Sequence, residues 1–426
     1  MIMPRFLPAF MSYLALGKIF LVAIFLNMAL LPAESGGDLG VKFSIIIRLF
    51  AWLVLIGVAV FHSRSTMTLP VRSVAIVAIY LFMFIVANYD YDNLSINWIF
   101  CVFFIITGAL IIQVTMQQSL SYRKTFLKAL EIIIIFWIST YLFQLIIYLS
   151  TDNVLDIHKM FAPYSEQRSE LVTGELVRLG GVHIEPGTYS NWLYGLLLIR
   201  SLYSGKIFDR VTFFSLVTIP LTLSFWGVIS TLFFIGSYVV SKKLLNFKKI
   251  FFIFFIVIIA LGLSIQLNVY DKFVSYIEAR STINRTDKLD STNIKIFALE
   301  SFAKNIDEYI IFGKNYDYYY YGRFYSEQDT GIFLNTIVKV GGVWTVIMFS
   351  LIFQGVYRIL GISGVLFAIP LIIAKWFYWD HIFWLVLLAS TSKFELSQYS
   401  QTAVSELKIA PRKIMAKTDI LNLQNK

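Results

Sequence analysis

Apolar residues form long continuous runs along this chain, and short polar stretches separate most of them. A run of about 20 apolar residues crosses the hydrocarbon core of a bilayer as a helix, because a helix satisfies its backbone polar groups internally. The pattern therefore predicts an all-α integral membrane protein with about twelve transmembrane helices. Their predicted ranges are 13–31, 43–61, 71–88, 96–116, 129–149, 188–203, 211–224, 225–240, 250–267, 331–357, 360–374 and 376–390.

The run 211–240 contains no charged residue and could form one long helix. At a rise of about 1.5 Å per residue, such a helix would overshoot the roughly 30 Å hydrocarbon core. We therefore predict a break near residues 224–227, where serine and glycine interrupt the apolar run.

Two polar stretches, 150–187 and 268–329, are much longer than the other breaks. Lysine and arginine concentrate instead in short breaks of the opposite phase, such as 242–249. Because positive residues remain cytoplasmic, we expect both large loops on the periplasmic side and both termini in the cytoplasm. Four predicted spans lie between the two loops and return them to one side. The expected organisation is a single polytopic domain, 1–390, followed by a cytoplasmic tail, 391–426.

Composition agrees with this class, since 58% of the 426 residues are hydrophobic and 15% are charged. The net charge of +10 is explained by the basic cytoplasmic loops and their contact with anionic lipid, so nucleic-acid binding is not expected. The four histidines, at 62, 158, 183 and 381, lack the spacing of metal ligands. The sequence also has no phosphate-binding glycine loop of the Walker type. Neither a metal nor another cofactor is therefore expected.

The first large loop ends in Arg178-Leu-Gly-Gly-Val-His183-Ile-Glu185-Pro-Gly, directly before a predicted span. Pro186 suits the first turn of a helix, so Glu185 is expected at a helix amino end, where the macrodipole favours its charge. His183, two residues earlier, can point to the same side of an extended segment. Glu185 and His183 are candidate general bases. A well-capped helix start with an incidental histidine explains the same pattern equally well.

The second large loop supplies further cations and aromatic residues. Guanidinium groups bind phosphate bidentately, and tyrosine rings can stack on sugars. The candidate binding residues here are Arg280, Arg285, Arg323 and the tyrosine cluster that includes Tyr321. The alternatives are ordinary ion pairs for the arginines and interfacial anchoring for the tyrosine cluster.

Ionisable residues also occur inside predicted spans, at Lys18, Arg48, Glu131 and Lys339. Charged side chains in a membrane are costly and usually face the interior of the helix bundle or water. Snorkelling toward the interface is the alternative for Lys18 and Arg48.

Several of these residues follow the order of a known family signature. Arg178-x-x-Gly-x-x-x-Glu185-Pro before a span resembles the signature of the polysaccharide polymerase and O-antigen ligase superfamily. Thr222-Leu-Ser224 is similar to the Thr-x-Ser-Arg turn of that superfamily, although Phe225 stands where arginine is usual.

A third segment, Asp329-Thr330-Gly331 followed by nine residues and Gly341, resembles the segment after the large second loop of that superfamily. Ligases typically carry a histidine at the position of Thr330. This departure favours the polymerase branch, the Wzy-type O-antigen and polysaccharide polymerases of the bacterial inner membrane.

The resemblance implies a metal-independent glycosyltransferase that polymerises undecaprenyl-diphosphate-linked oligosaccharide repeat units on the periplasmic face. A chain-length regulator and a flippase would be its partners. Glu185 or His183 would accept the proton of the acceptor hydroxyl. The residues that would bind the diphosphate and sugars are Arg178, Arg280, Arg285, Arg323, Tyr321 and Asp329.

Two alternatives belong to other classes. A lipid-linked oligosaccharide flippase or another transporter would also have about twelve spans, but transporters typically have matched, Gly/Pro-broken spans in their two halves. An O-antigen ligase would transfer finished polymer to lipid A core. The acceptor of the transferred polymer distinguishes a ligase from a polymerase.

Overall fold

The computed structural model describes residues 120–161, 167, 171–172, 176–241, 299–300, 302–311, 313, 317–320, 323–326, 331–374, 376 and 381–391, with isolated positions between 18 and 108. These residues belong to one compact unit, Met1–Thr391. The predicted cytoplasmic tail and most residues of the spans 13–31, 43–61, 71–88, 96–116 and 250–267 lie outside the described residues.

The described part of the chain is mostly helical, as predicted. Two 3₁₀ segments, Ile306–Tyr309 and Ile369–Ile373, accompany the longer helices. The α-helices with described bounds are α1 (Leu120–Thr151), α2 (His158–Phe161), α3 (Pro186–Ser204), α4 (Arg210–Leu221), α5 (Phe225–Ser241), α6 (Ile332–Val340), α7 (Gly342–Ala368) and α8 (His381–Thr391).

Two stretches of the described helices are long and apolar enough to cross a membrane, Arg123–Thr151 and Gly342–Ile373. The stretch Arg123–Thr151 carries apolar side chains on all of its faces. One face is buried in the protein, including Ile133 and Trp137. The opposite face also carries apolar side chains, and Ile146 is 64% exposed. A water-exposed helix would carry polar residues on that face.

The predicted break in the run 211–240 is confirmed. Helix α4 ends at Leu221 and α5 begins at Phe225. Pro220 lies in the last turn of α4, and a proline weakens the helical hydrogen bonding around it. Leu223 then takes a positive φ of 52°, which is incompatible with a continuous helix.

The predicted span 331–357 is wrong as one continuous helix, because the helix is interrupted at Gly341. This residue has φ 107° and ψ 151°, a conformation that only glycine adopts readily. Helix α6 ends before it and α7 begins after it. The predicted boundary between the spans 331–357 and 360–374 lies close to Gly361, a residue with non-helical φ and ψ inside α7.

The all-α prediction also omits two short antiparallel hairpins in the loop regions. Strand β1 (Leu171–Val172) pairs with β2 (Leu176–Val177), and β3 (Asp317–Tyr320) pairs with β4 (Arg323–Ser326). The tyrosine cluster of the second loop thus forms part of a hairpin. Aromatic residues have high strand propensity, which explains the strand where the prediction had a loop.

Helix α3 lies at the centre of the described residues and is buried on nearly all sides. It packs against α1, α4, α5, α7 and α8. Near its end, Arg200 pairs with Glu131 of α1 at 2.6 Å and with Asp209 at 2.5 Å. Asp209 also caps α4 by accepting from the backbone N–H of Thr212. Glu131 therefore faces a partner within the helix bundle, as expected for an ionisable residue in a predicted span.

Candidate functional site

The Arg178–Glu185 segment runs from strand β2 to the amino end of α3 and lies against α1. Gly181 makes the closest approach, because a Cβ on this residue would be 3.2 Å from the backbone nitrogen of Tyr141. Its φ of 61° also lies in the left-handed region, where side chains are disfavoured. Close packing and backbone conformation both require glycine at this position.

Side chains from outside the segment hold its backbone. The Nδ1 of His158 donates to the carbonyl of Val182 at 2.9 Å, since a carbonyl can only accept. Gln167 donates to the carbonyls of Gly181 and His183 at 3.0 and 2.8 Å. The backbone N–H of Gly181 donates to Gln144 of α1 at 2.9 Å. The segment consequently has a fixed conformation immediately before Glu185.

His183 is fully buried among aromatic rings. Its ring meets those of Trp137, Tyr189 and Trp192 edge to face, with centroid distances of 4.6, 5.5 and 5.5 Å. Neither ring nitrogen has a hydrogen-bond partner among the described residues. Burial, reinforced by the neighbouring His158, lowers the pKa of His183 well below its ordinary value. His183 is therefore neutral near pH 7.

Glu185 is the residue immediately before α3, with an extended backbone (φ −131°, ψ 143°). Its carbonyl accepts the first helical hydrogen bond, from Tyr189 at 3.1 Å. Its side chain does not cap the helix and is partly exposed. Arg178, seven residues earlier, is also partly exposed. Glu185 and Arg178 thus lie at the two ends of the segment, and both side chains are accessible to solvent in part.

A buried cluster of hydroxyl groups joins the first turn of α3 to the break between α4 and α5. Ser190 lies 2.8 Å from Thr222 and 3.1 Å from Ser224, oxygen to oxygen. Thr222 donates to the carbonyl of Ile219 at 2.7 Å, and Ser224 accepts from the backbone N–H of Gly227 at 3.0 Å. Ser190 also donates to the carbonyl of Pro186 at 3.1 Å, so the three hydroxyls have partners in one another and in the backbone of the three helices.

The 3₁₀ segment Ile369–Ile373 and the adjoining Ala374 connect the start of α5, next to the hydroxyl cluster, with Gly331 and the start of α6. At one end, the indole N–H of Trp226 donates to the carbonyl of Pro370 at 3.2 Å. At the other end, the backbone N–H of Ile332 donates to the carbonyl of Ala374 at 2.8 Å. Gly331 packs on this end too, since a Cβ there would be 3.1 Å from the carbonyl of Ile373.

The predicted site residues therefore divide into three groups. Arg178, His183 and Glu185 share one short segment, and only His183 is fully buried. Arg323 begins strand β4, where it pairs with Tyr320. The remaining predicted residues, Arg280, Arg285, Tyr321 and Asp329, lie outside the described residues.

The sequence interpretation missed the residues that hold this segment, namely Gln144, His158 and Gln167. Gln144 offers a signal, because it is an uncharged polar residue inside the apolar run of a predicted span. Buried amide groups need hydrogen-bond partners, so such a residue indicates a polar contact within the bundle. No comparable signal marks Gln167 in a polar loop.

Among the described residues, no group of three or more His, Cys, Asp or Glu side chains is arranged to hold a metal ion. A scan against protein-family models and searches of curated proteins and of solved structures found no match to this chain.

Proposed function

We propose that this protein is a membrane glycosyltransferase of the Wzy type. It joins oligosaccharide repeat units that are carried on undecaprenyl diphosphate, on the periplasmic face of the bacterial inner membrane. The product is an O-antigen or a related surface polysaccharide. The proposal takes its reaction from the family resemblance and its residues from the segment that ends at Glu185.

The observation that carries the proposal is the hydrogen bond between Ser190 and Thr222, 2.8 Å long. Ser190 lies in the first turn after the Glu185-Pro186 signature, and Thr222 opens the Thr-x-Ser turn. Two sequence elements that resemble the family in order are thus also in direct contact. The contact supports the proposal because it brings the residues after the first motif and the second motif together within the packing of α3 against α4.

Exposed apolar side chains support the location in a membrane. On α1, Phe143, Ile146 and Leu149 are 54%, 64% and 72% exposed, and on α4 Phe214 is 70% exposed. Large apolar surfaces of this kind indicate contact with lipid or with another protein. A lipid-facing position for α1 and α4 would leave the Arg178–Glu185 segment beside the bilayer, where a lipid-linked donor arrives laterally.

The proposed reaction is a single displacement at the anomeric carbon of the donor. The acceptor hydroxyl attacks this carbon, and the bond to the diphosphate oxygen breaks, so undecaprenyl diphosphate leaves with the bonding electrons. Glu185 takes the proton of the acceptor hydroxyl. Arg178 and the predicted arginines of the second loop stabilise the negative charge of the leaving diphosphate. Of these proposed groups, Glu185, Arg178 and Arg323 lie among the described residues.

A purified protein tests the proposal directly. Reconstituted in detergent or lipid with undecaprenyl-diphosphate-linked repeat units as the only substrate, it should produce a ladder of longer lipid-linked chains. The absence of any chain longer than one repeat unit, from a folded protein, would contradict a polymerase.

Polysaccharide banding in a deletion strain distinguishes the alternatives. Loss of a polymerase leaves a single repeat unit on each lipid A core. Loss of a flippase or of a ligase leaves none. Transfer of finished polymer to lipid A core by the purified protein would indicate a ligase.

A further inference from the structure

Two buried glutamines, Gln144 of α1 and Gln167 of the first loop, hold the turn before Glu185 through a closed set of hydrogen bonds. The amide of Gln167 donates to the carbonyls of Gly181 and His183. Its side-chain oxygen accepts from Gln144 at 2.5 Å. The same amide of Gln144 donates to the carbonyl of Leu155 at 2.7 Å. Both N–H groups of each glutamine are therefore used.

The oxygen of Gln144 completes the set by accepting from the backbone N–H of Gly181 at 2.9 Å. Gln144 is fully buried and Gln167 is 8% exposed. A buried amide without partners is costly, whereas a fully satisfied network is rigid and specific. The two side chains thus stabilise one conformation of the turn over all others.

Neighbouring contacts fix the glutamines in turn. The backbone N–H of Gln167 donates to a carboxylate oxygen of Asp156 at 2.9 Å. The second oxygen of Asp156 accepts from the backbone N–H of Lys159 at 2.8 Å. Gly180 lies directly against the side-chain amide of Gln167, because a Cβ on Gly180 would be 2.9 Å from the amide nitrogen. The Gly180-Gly181 pair is therefore required by the glutamines and by α1 together.

We propose that Gln144 and Gln167 are positioning residues for the glycosyl transfer, acting through the turn that presents Arg178 and Glu185 to substrate. This inference rests on the proposed function. The held turn runs from Gly180 to His183, so Arg178 lies two residues before it and Glu185 two residues after it. A displacement of a catalytic group by about 1 Å can lower the rate on the order of 10²-fold. A turn whose backbone groups are held by hydrogen bonds would keep Arg178 and Glu185 in the positions that the reaction needs.

The test replaces each glutamine with methionine, which keeps the unbranched shape and removes the hydrogen bonds. Gln144→Met and Gln167→Met should each lower kcat by roughly 10- to 100-fold and change KM for the lipid-linked donor much less. The double variant should lose about as much as either single variant, because one broken link opens the network. Hydrogen exchange of the peptide covering 178–185 should accelerate in all three.

Two variants serve as controls. Gln354→Met changes an exposed glutamine of α7 and should leave both kcat and exchange unchanged. Ser237→Ala removes a buried hydrogen bond to the carbonyl of Ser363, 2.6 Å long and remote from the turn. Ser237→Ala and the glutamine variants should all lower thermal stability, because each removes buried hydrogen bonds. Ser237→Ala should nevertheless keep its activity at temperatures where the protein is folded.

Wild-type activity in both glutamine variants would overturn the inference. So would a loss of kcat without faster exchange, or an equal loss of kcat in Ser237→Ala at a matched melting temperature. A folded wild-type protein that leaves repeat units unjoined would overturn the proposed function instead. The exchange measurement then still decides whether the glutamines hold the turn.

Discussion

The hydroxyl oxygens of Ser190 and Thr222 lie 2.8 Å apart, although 32 residues separate them along the chain. Ser190 belongs to the first turn of α3, and Thr222 marks the end of α4. Both side chains are fully buried. Their contact sets the position of the helix break relative to the turn that ends at Glu185.

Thr222→Val tests the contribution of this contact. Valine has the shape of threonine but lacks the hydroxyl, so Ser190 loses one partner and keeps the carbonyl of Pro186 and the hydroxyl of Ser224. The expected cost is about 1 kcal/mol of stability, visible as a lower melting temperature of the purified protein. Thr231→Val is the matched control, because among the described residues the hydroxyl of Thr231 bonds to the carbonyl of Gly227 in its own helix and joins no second helix. Equal melting temperatures for the two variants would contradict this account.

The sequence predicts the helix break at 222–224, whereas the break at Gly341 was not predicted. In the first case, the run is too long for one span and contains serine and glycine near the break. In the second case, Lys339 and the Gly341-Gly342 pair interrupt the apolar run, but the run 331–357 is not too long for a tilted span, so length alone did not require a break. The structure adds the backbone conformation of Gly341 and the contacts of α6, such as the hydrogen bond from Ile332 to Ala374.

The part of the candidate site that is local in sequence could be predicted, whereas the part built from distant residues could not. Arg178 and Glu185 stand close together in the sequence, beside a proline that indicates a helix start. Gln144 and Gln167 act on this segment from 37 and 14 residues away from Gly181. Such pairings depend on how α1 packs against the loop, and one sequence carries no periodic signal for them.

The orientation of the chain yields a topology prediction. Alkaline phosphatase fused after residue 165 or after residue 300 should be active, because the basic loops assign both positions to the periplasm. A fusion after residue 245 should be inactive. The measurement is phosphatase activity in whole cells, corrected for the amount of fusion protein. An active fusion at 245 would reverse the orientation and remove the basis for a periplasmic reaction.

Burial of His183 predicts a loss of stability in acid. Its folded-state pKa lies below the ordinary value, so the unfolded state binds more protons as the pH falls below about 6.5. The stabilising contribution of the neutral ring is therefore complete above that pH and decreases as the pH falls further. His183→Phe should reduce the drop in melting temperature between pH 7.5 and pH 5.5. An unchanged drop in His183→Phe would contradict the prediction.

The arginines that would cradle the diphosphate are tested by replacement with alanine. Arg178→Ala should abolish polymer while the protein level is maintained, and Arg280→Ala and Arg323→Ala should have the same effect. Arg178→Lys should restore little activity, because lysine offers a point charge in place of a planar fork. Arg358→Ala, at an exposed position of α7, is the control. Polymer of normal length and amount in all three alanine variants would make these arginines ordinary loop charges.

The exposure of the two side chains decides between Glu185 and His183 as the general base. His183 has the better intrinsic pKa for a base near neutral pH, but its ring is fully buried behind three aromatic side chains. A base must come within about 3 Å of the proton that it accepts, and a buried ring meets this condition only after a rearrangement. Glu185 is partly exposed at the start of α3. We therefore expect Glu185 to be the base and His183 to anchor the turn.

Glu185→Gln and His183→Asn separate these roles in the purified enzyme. Glutamine keeps the shape of glutamate without its basicity, so turnover should fall by about 10²-fold or more, while the protein still binds the lipid-linked donor. His183→Asn should weaken folding more than chemistry, because it places an unpaired amide in the aromatic surroundings. Polymerisation by Glu185→Gln, together with its loss in a folded His183→Asn protein, would reverse the assignment. If both variants polymerise normally, this turn only shapes the start of α3, and the base has to be sought around Asp329.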